Sequence, residues 1–185
     1  MRKPDFFIVG APKCGTTTLN EYLKQHPEIF TPERKELHFF GSDLHFKTSR
    51  ITEEKYLAYF SNTNQVKRVG EASIGYLYSK NAANEIRQFC PYASIIMLRN
   101  PIDMIYSLFS QLRYHNEEES EDLDAALDKE EARKRGLYLP KVMGAPVECL
   151  FYREMAKYTD QIKRYFDVFG RKNVHIIIFD DFQQN

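Results

Sequence analysis

The sequence predicts a three-layer α/β/α domain of P-loop-like kind, built on a mainly parallel central sheet. Three observations predict it. Apolar runs at 6–9, 94–98 and 174–179 alternate with segments whose apolar residues recur at helical spacing. The run at 94–98 (SIIML) shows no polar alternation, as expected of a parallel strand covered on both faces. Residues 10–18 (GAPKCGTTT) join the first apolar run to the first helical segment through Gly10 and Gly15, the punctuation of a tight strand-to-helix loop.

Phe6, Phe7, Ile8 and Val9 form the first strand. The helix that starts near Gly15 carries Leu19, Tyr22 and Leu23 on one face and ends before Pro27. A helix start exposes unpaired N–H groups and the positive end of the helix dipole, so an anion belongs there. Gly10 and Gly15 have the spacing of the Walker A loop, but Thr16 follows where that loop has lysine. The one cation in the loop is Lys13. The loop is therefore suited to a phosphate without being an ordinary ATP loop.

Further along, Ile29 and Phe30 and a charged turn lead into Glu36-Leu37-His38-Phe39-Phe40. Thr52, an acidic first turn and Tyr56, Leu57, Tyr59 and Phe60 predict a helix over 52–61. A short strand is expected over 66–73, then a helix over 79–89 capped by Ser79 and stopped by Pro91. After the strand at 94–98, Pro101 opens a helix over 101–115 with Ile102, Ile105, Leu108, Phe109 and Leu112 inward. Residues 117–135 are dense in charge and read as a solvated helix, and 136–146 as a loop. One long amphipathic helix is expected over 147–169, then Gly170 and a last strand over 174–179 (VHIIIF).

Composition narrows the function classes. At 185 residues the chain suits a single domain, 1–185, with a proper core. Its 26 basic and 26 acidic residues cancel, so no global field draws nucleic acid or a membrane surface, and an anion site must be local. No apolar run has the length of a membrane span, and the start of the chain does not read as a signal peptide; a cytoplasmic protein is expected. Cys14, Cys90 and Cys149 are widely spaced, with no paired spacing that predicts a metal site or a disulfide. Cys14 reads as a small residue that fits the loop rather than as a reactive thiol, because no histidine lies near it in sequence.

Pro12 to Leu19 (PKCGTTTL) resembles the 5′-phosphosulfate loop of the sulfotransferases, with Cys14 where a serine is common. Arg99 and Ser107, eight residues apart after the strand at 94–98, resemble the arginine and serine with which that family holds the 3′-phosphate of 3′-phosphoadenosine 5′-phosphosulfate (PAPS). KELHFF (35–40) resembles the family's E-x-H-F-F stretch, in which the glutamate is the catalytic base. Gly70, Glu71, Ala72 and Ser73 with Tyr76 are similar to a G-E-K-[ST]-x-x-Y segment near the acceptor, with Ala72 where heparan-modifying members carry lysine.

The resemblance implies PAPS as co-substrate without a metal, and a small-molecule or carbohydrate acceptor. It implies Lys13, Cys14, Gly15, Thr16, Thr17, Thr18, Arg99 and Ser107 as the donor site. Lys13 and Glu36 take catalytic roles, with His38 beside Glu36 or in its place as base. The spacing of Glu36 and His38 sets both side chains on one side of an extended segment. The family continues beyond a final strand like VHIIIF with a loop that closes over the nucleotide. The chain stops at Asn185, so a domain lacking its C-terminal part is expected. Two other readings remain: a P-loop kinase or NTPase, with Asp180 and Asp181 offered for magnesium, and a nucleotide-binding module without catalysis.

Overall fold

The computed structural model describes residues 2–184 apart from 62, 64 and 92. Its elements run β1 (Phe6–Gly10), α1 (Thr16–Lys24), β2 (Ile29–Phe30), α2 (Glu53–Ala58), β3 (Arg68–Ala72), α3 (Gly75–Tyr78), α4 (Ala82–Phe89) and β4 (Ala93–Leu98). They continue with α5 (Pro101–Tyr114), α6 (Leu123–Asp128), α7 (Glu130–Lys134), α8 (Tyr152–Met155), α9 (Tyr158–Phe169), β5 (Val174–Ile178) and α10 (Phe179–Gln184).

All paired strands are parallel, in the order β2-β3-β1-β4-β5. Ile8 of β1 pairs with Ala72 on one side and Ile95 on the other. Parallel strands with helices on both faces must be apolar throughout, and Phe7, Ile8, Val9, Ile96 and Met97 are all buried. Each such side chain contributes roughly 1.5–3 kcal/mol by leaving water. α3, α4 and α9 pack together against the sheet, and α1 lies against β1 and β2. Because β1 sits between β3 and β4, the loops leaving their carboxyl ends meet above one point of the sheet. Open parallel sheets bind ligands at such a point. No helix among the described residues is long and apolar enough to cross a membrane.

Two of the expected helix starts follow their expected chemistry. Thr52 accepts from Lys55 N, and Asn100 accepts from Ile102 N at the Pro101 start. The helix expected over 79–89 capped by Ser79 instead starts at Ala82 with Asn81 at its cap position, although Ser79 Oγ accepts from Ala82 N at 2.9 Å, and a separate turn of helix, α3, precedes it. Ile102 stands 63% exposed, leaving Met104, Leu108 and Leu112 as the buried stripe of α5. Asp180 and Asp181 lie in the first turn of α10, where negative charge complements the helix dipole.

Two expectations fail for the same reason. The charged stretch 117–135 is not one solvated helix: it folds into α6 and α7 around a buried ion pair. Arg133 donates to both oxygens of Glu118 at 2.6 and 2.7 Å, and Tyr152 donates to Glu118 at 2.8 Å. The predicted helix over 147–169 is broken into a 3-10 turn (Val147–Leu150), α8 and α9. Glu130 accepts the N–H groups of Arg153 and Glu154 at the start of α8, and Gln161 donates to the carbonyls of Glu154 and Met155 at its end. Side chains from elsewhere thus satisfy a backbone that an unbroken helix would satisfy internally.

The Glu118–Arg133 pair sets a stability prediction. Its hydrogen bonds outweigh the burial that opposes them and hold the Glu118 carboxyl down at about 2. Its contribution is therefore complete above the unfolded carboxyl's pKa of about 4.3 and is lost as pH falls toward the folded value. Glu118→Gln, which leaves a buried guanidinium without its countercharge, is expected to cost about 3–5 kcal/mol in denaturant unfolding near neutral pH. The wild-type advantage over the variant should shrink on acidification; a constant difference down to the folded value would contradict the assignment.

Candidate active site

The loop that leaves β1 turns back at Lys13, whose φ of 59° is left-handed, and at Gly15, with φ 81°. A Cβ on Gly15 would stand 2.7 Å from the Phe179 ring, so both backbone sign and space require glycine there. α1 then starts at Thr16 with its free N–H groups at the carboxyl end of β1. Ala11 N donates to Met97 O at 2.7 Å, tying this loop to the end of β4, where Arg99 follows.

Lys13, Gly15, Thr16, Thr17, Thr18, Glu36, His38, Arg99 and Ser107 line one cleft of about 740 Å³. Segments as far apart as 13 and 107 in sequence meet here because the carboxyl ends of β1, β3 and β4 are neighbours. Cys14 is the exception among the expected site residues. Its side chain is fully buried, the thiol donates to Pro12 O at 3.2 Å, and burial pushes its pKa up to about 11. It fits the loop as a small inert residue and can offer a ligand only its backbone.

The donor end of the cleft is cationic and partly unsatisfied. Burial lowers the Lys13 pKa, with Arg99 and Lys35 adding to the effect. Its Nζ donates to Gln111 Oε1 at 2.7 Å. Arg99 is steered by the Phe179 ring, 5.0 Å from its guanidinium carbon, and by Asp103 at 4.0 Å, too far for a hydrogen bond. Its Nε is buried without a hydrogen-bond partner. A buried donor left unmade is costly.

At the other end, Glu36 and His38 do not lie on an extended segment. Both have left-handed backbones, φ 61° and 51°, a conformation costing on the order of 1–3 kcal/mol for each non-glycine residue. The turn is pinned to β3: Glu36 N donates to Ala72 O, Ile74 N donates to Glu36 Oε2 at 2.9 Å, and His38 N donates to Ser73 Oγ at 3.2 Å. The two side chains still share the cleft, with His38 Nε2 3.7 Å from Glu36 Oε2. Lys35 pairs with the other Glu36 oxygen. Burial holds the His38 pKa below its ordinary value, with Glu36 opposing the shift.

The family description "Sulfotransferase domain" matches residues 3–185. This chain belongs to that family. A crystal structure of a sulfotransferase from Alicyclobacillus acidocaldarius superposes with a TM-score of 0.89 and 36% identity, covering 100% of this chain and 76% of that one. The sulfotransferase domain from the curacin biosynthetic pathway shares the fold at a TM-score of 0.61 and 15% identity, over 100% of this chain and 70% of its own. Among curated relatives, the membrane-associated sulfotransferase kil1 of Dictyostelium discoideum is 29% identical over 57% of this chain. The bifunctional heparan sulfate N-deacetylase/N-sulfotransferase 1 of Caenorhabditis briggsae is 30% identical over 60% of it. The chain spans 22% and 13% of the length of these two relatives.

Several walls of this sulfotransferase domain's cleft escape sequence reasoning. Gln111 and His115 follow Ser107 at steps of four along α5, so a search for a polar stripe on that helix face would have found them. Glu117, shortly after α5, and Gly144, Ala145, Pro146 and Cys149, from the loop and 3-10 turn before α8, complete the lining. Glu117 fixes that loop by accepting from Gly144 N at 2.8 Å. Cys149 is buried, and its pKa is pushed up by that burial. Nothing local in the sequence marks these residues.

Proposed function

We propose that the chain transfers a sulfuryl group from PAPS to a hydroxyl or amine of a small-molecule or carbohydrate acceptor by in-line displacement, without a metal. The observation that carries this reading is Arg99: it lines a cleft that also holds the free helix start after Gly15, and among the described residues no carboxylate closes on its guanidinium within hydrogen-bond distance. An arginine fork and a helix N-terminus in one cleft suit a ligand with two separate anionic groups. PAPS carries a 5′-phosphosulfate and a 3′-phosphate.

Thr16, Thr17, Thr18 and the N–H groups after Lys13 would cradle the phosphosulfate; Arg99 and Ser107 would hold the 3′-phosphate. PAPS supplies the sulfuryl group, the acceptor atom bonding to sulfur as the bond to the phosphate oxygen breaks, with its electron pair left on that oxygen. Lys13, released from Gln111, would neutralise charge on that oxygen. Glu36, already fixed by Ile74 N, would take the acceptor's proton. The same relatives that support sulfuryl transfer disfavour the kinase reading, and Thr16 stands where a kinase loop needs lysine.

Calorimetry with 3′-phosphoadenosine 5′-phosphate (PAP) and with magnesium-ATP tests the proposal. PAP should bind without metal and more tightly, because ATP has no 3′-phosphate for Arg99 and Ser107. Tighter binding of magnesium-ATP would overturn the sulfotransferase reading of the donor site.

A further inference from the structure

Glu71 on β3 is 1% exposed. A buried carboxylate needs strong compensation, and its two oxygens accept from hydroxyls: Tyr56 donates to one at 3.1 Å and Ser73 to the other. Burial raises its pKa to about 7, while the bonds from Ser73 and Tyr56 pull it back down.

Both of those residues, and Tyr76, also touch the turn that carries Glu36 and His38. Ser73 Oγ accepts from His38 N at 3.2 Å. Tyr76 Oη accepts from Phe39 N at 2.9 Å and Phe40 N at 3.3 Å. The Tyr56 ring stacks on Phe39, with centroids 4.3 Å apart and planes 11° apart. A hydroxyl has one proton, so the bond it donates decides where its lone pairs face. With Glu71 ionised, a pure acceptor, the Ser73 proton points at the carboxylate and its lone pairs at the N–H of His38.

We infer that Glu71 is a positioning residue, whose carboxylate fixes the Ser73 and Tyr56 hydroxyls and so holds the turn that carries the left-handed Glu36 and His38 in its working shape. The inference rests on the proposed reading of Glu36 as base, and Glu71 itself stays outside the cleft. An amide at 71 brings two donors where only an acceptor fits. One hydroxyl must then turn its lone pairs to the amide and its proton toward a backbone N–H.

The test compares Glu71→Gln with wild type above the carboxyl's pKa, by hydrogen exchange of the ligand-free protein. Exchange at His38, Phe39 and Phe40 should accelerate by about tenfold or more, while the β1 and β4 amides and PAP affinity stay unchanged. In PAPS hydrolysis, with water as acceptor, kcat should fall about tenfold at unchanged KM for PAPS. The Glu36→Gln/Glu71→Gln double variant should lose little beyond Glu36→Gln alone, since both act through one turn. Tyr56→Phe, which keeps the ring stack and loses one hydroxyl, should shift the same amides less and carries the test if Glu71→Gln does not fold. Unchanged exchange at 38–40, acceleration spread over the whole sheet, or multiplicative losses in the double variant would overturn the inference. Failure of wild type to bind PAP would instead overturn the functional reading and leave the exchange result standing.

Discussion

Glu36→Gln is expected to reduce sulfuryl transfer by about two to four orders of magnitude while leaving PAP affinity nearly unchanged. The substitution keeps the shape of the side chain and can still accept from Ile74 N, the 2.9 Å bond that orients the group. It removes the capacity to take a proton, together with the charge that pairs with Lys35. His38→Ala should cost less. The imidazole lies 3.7 Å from Glu36 and packs on Phe46 with ring centroids 4.8 Å apart, a placement suited to orienting the carboxylate or the acceptor. Burial nevertheless lowers its pKa, which favours the neutral form, the one that can accept a proton. Release of PAP from PAPS, with water or an added alcohol as acceptor, measures both variants. A larger loss in His38→Ala than in Glu36→Gln would reverse the two roles.

Lys13→Ala should lower turnover by about a hundredfold or more, with a smaller change in PAPS binding. Charge on the bridging oxygen grows only as the sulfuryl group leaves, so a cation placed there acts mostly on the transition state. The side chain's one hydrogen bond among the described residues is to Gln111, and its backbone geometry belongs to the loop rather than to the ammonium group. Alanine at a φ of 59° carries some strain, so the melting temperature should be measured alongside turnover. Normal turnover in a folded Lys13→Ala protein would exclude Lys13 from the chemistry.

The donor side of the site was legible because it is local. In each of two short stretches, strand, turn and helix start follow directly in sequence, and the ligand-facing residues are within nine positions of one another: Lys13 to Thr18, and Arg99 to Ser107. The acceptor side was half legible. Glu36 and His38 could be named from their pattern, but not their left-handed backbone, which depends on hydrogen bonds from β3 and α3 more than thirty residues away. Glu71 could be named from its G-E-x-S stretch as lying near the acceptor, but nothing local in the sequence marks its burial beneath the turn.

By itself the sequence determined the alternation of strands and helices, the parallel sheet and the two strand-turn-helix loops that line the cleft. These follow from periodicity, glycine placement and helix-end chemistry, all of which act within a few residues. Only the tertiary structure decided the break in the helix over 147–169, the burial of Glu118 against Arg133, and the cleft lining supplied by Glu117, Gly144 and Cys149. Those outcomes turn on which distant side chain satisfies a freed backbone group or countercharges a buried ion. Each is a bond between segments whose separation along the chain carries no local signal.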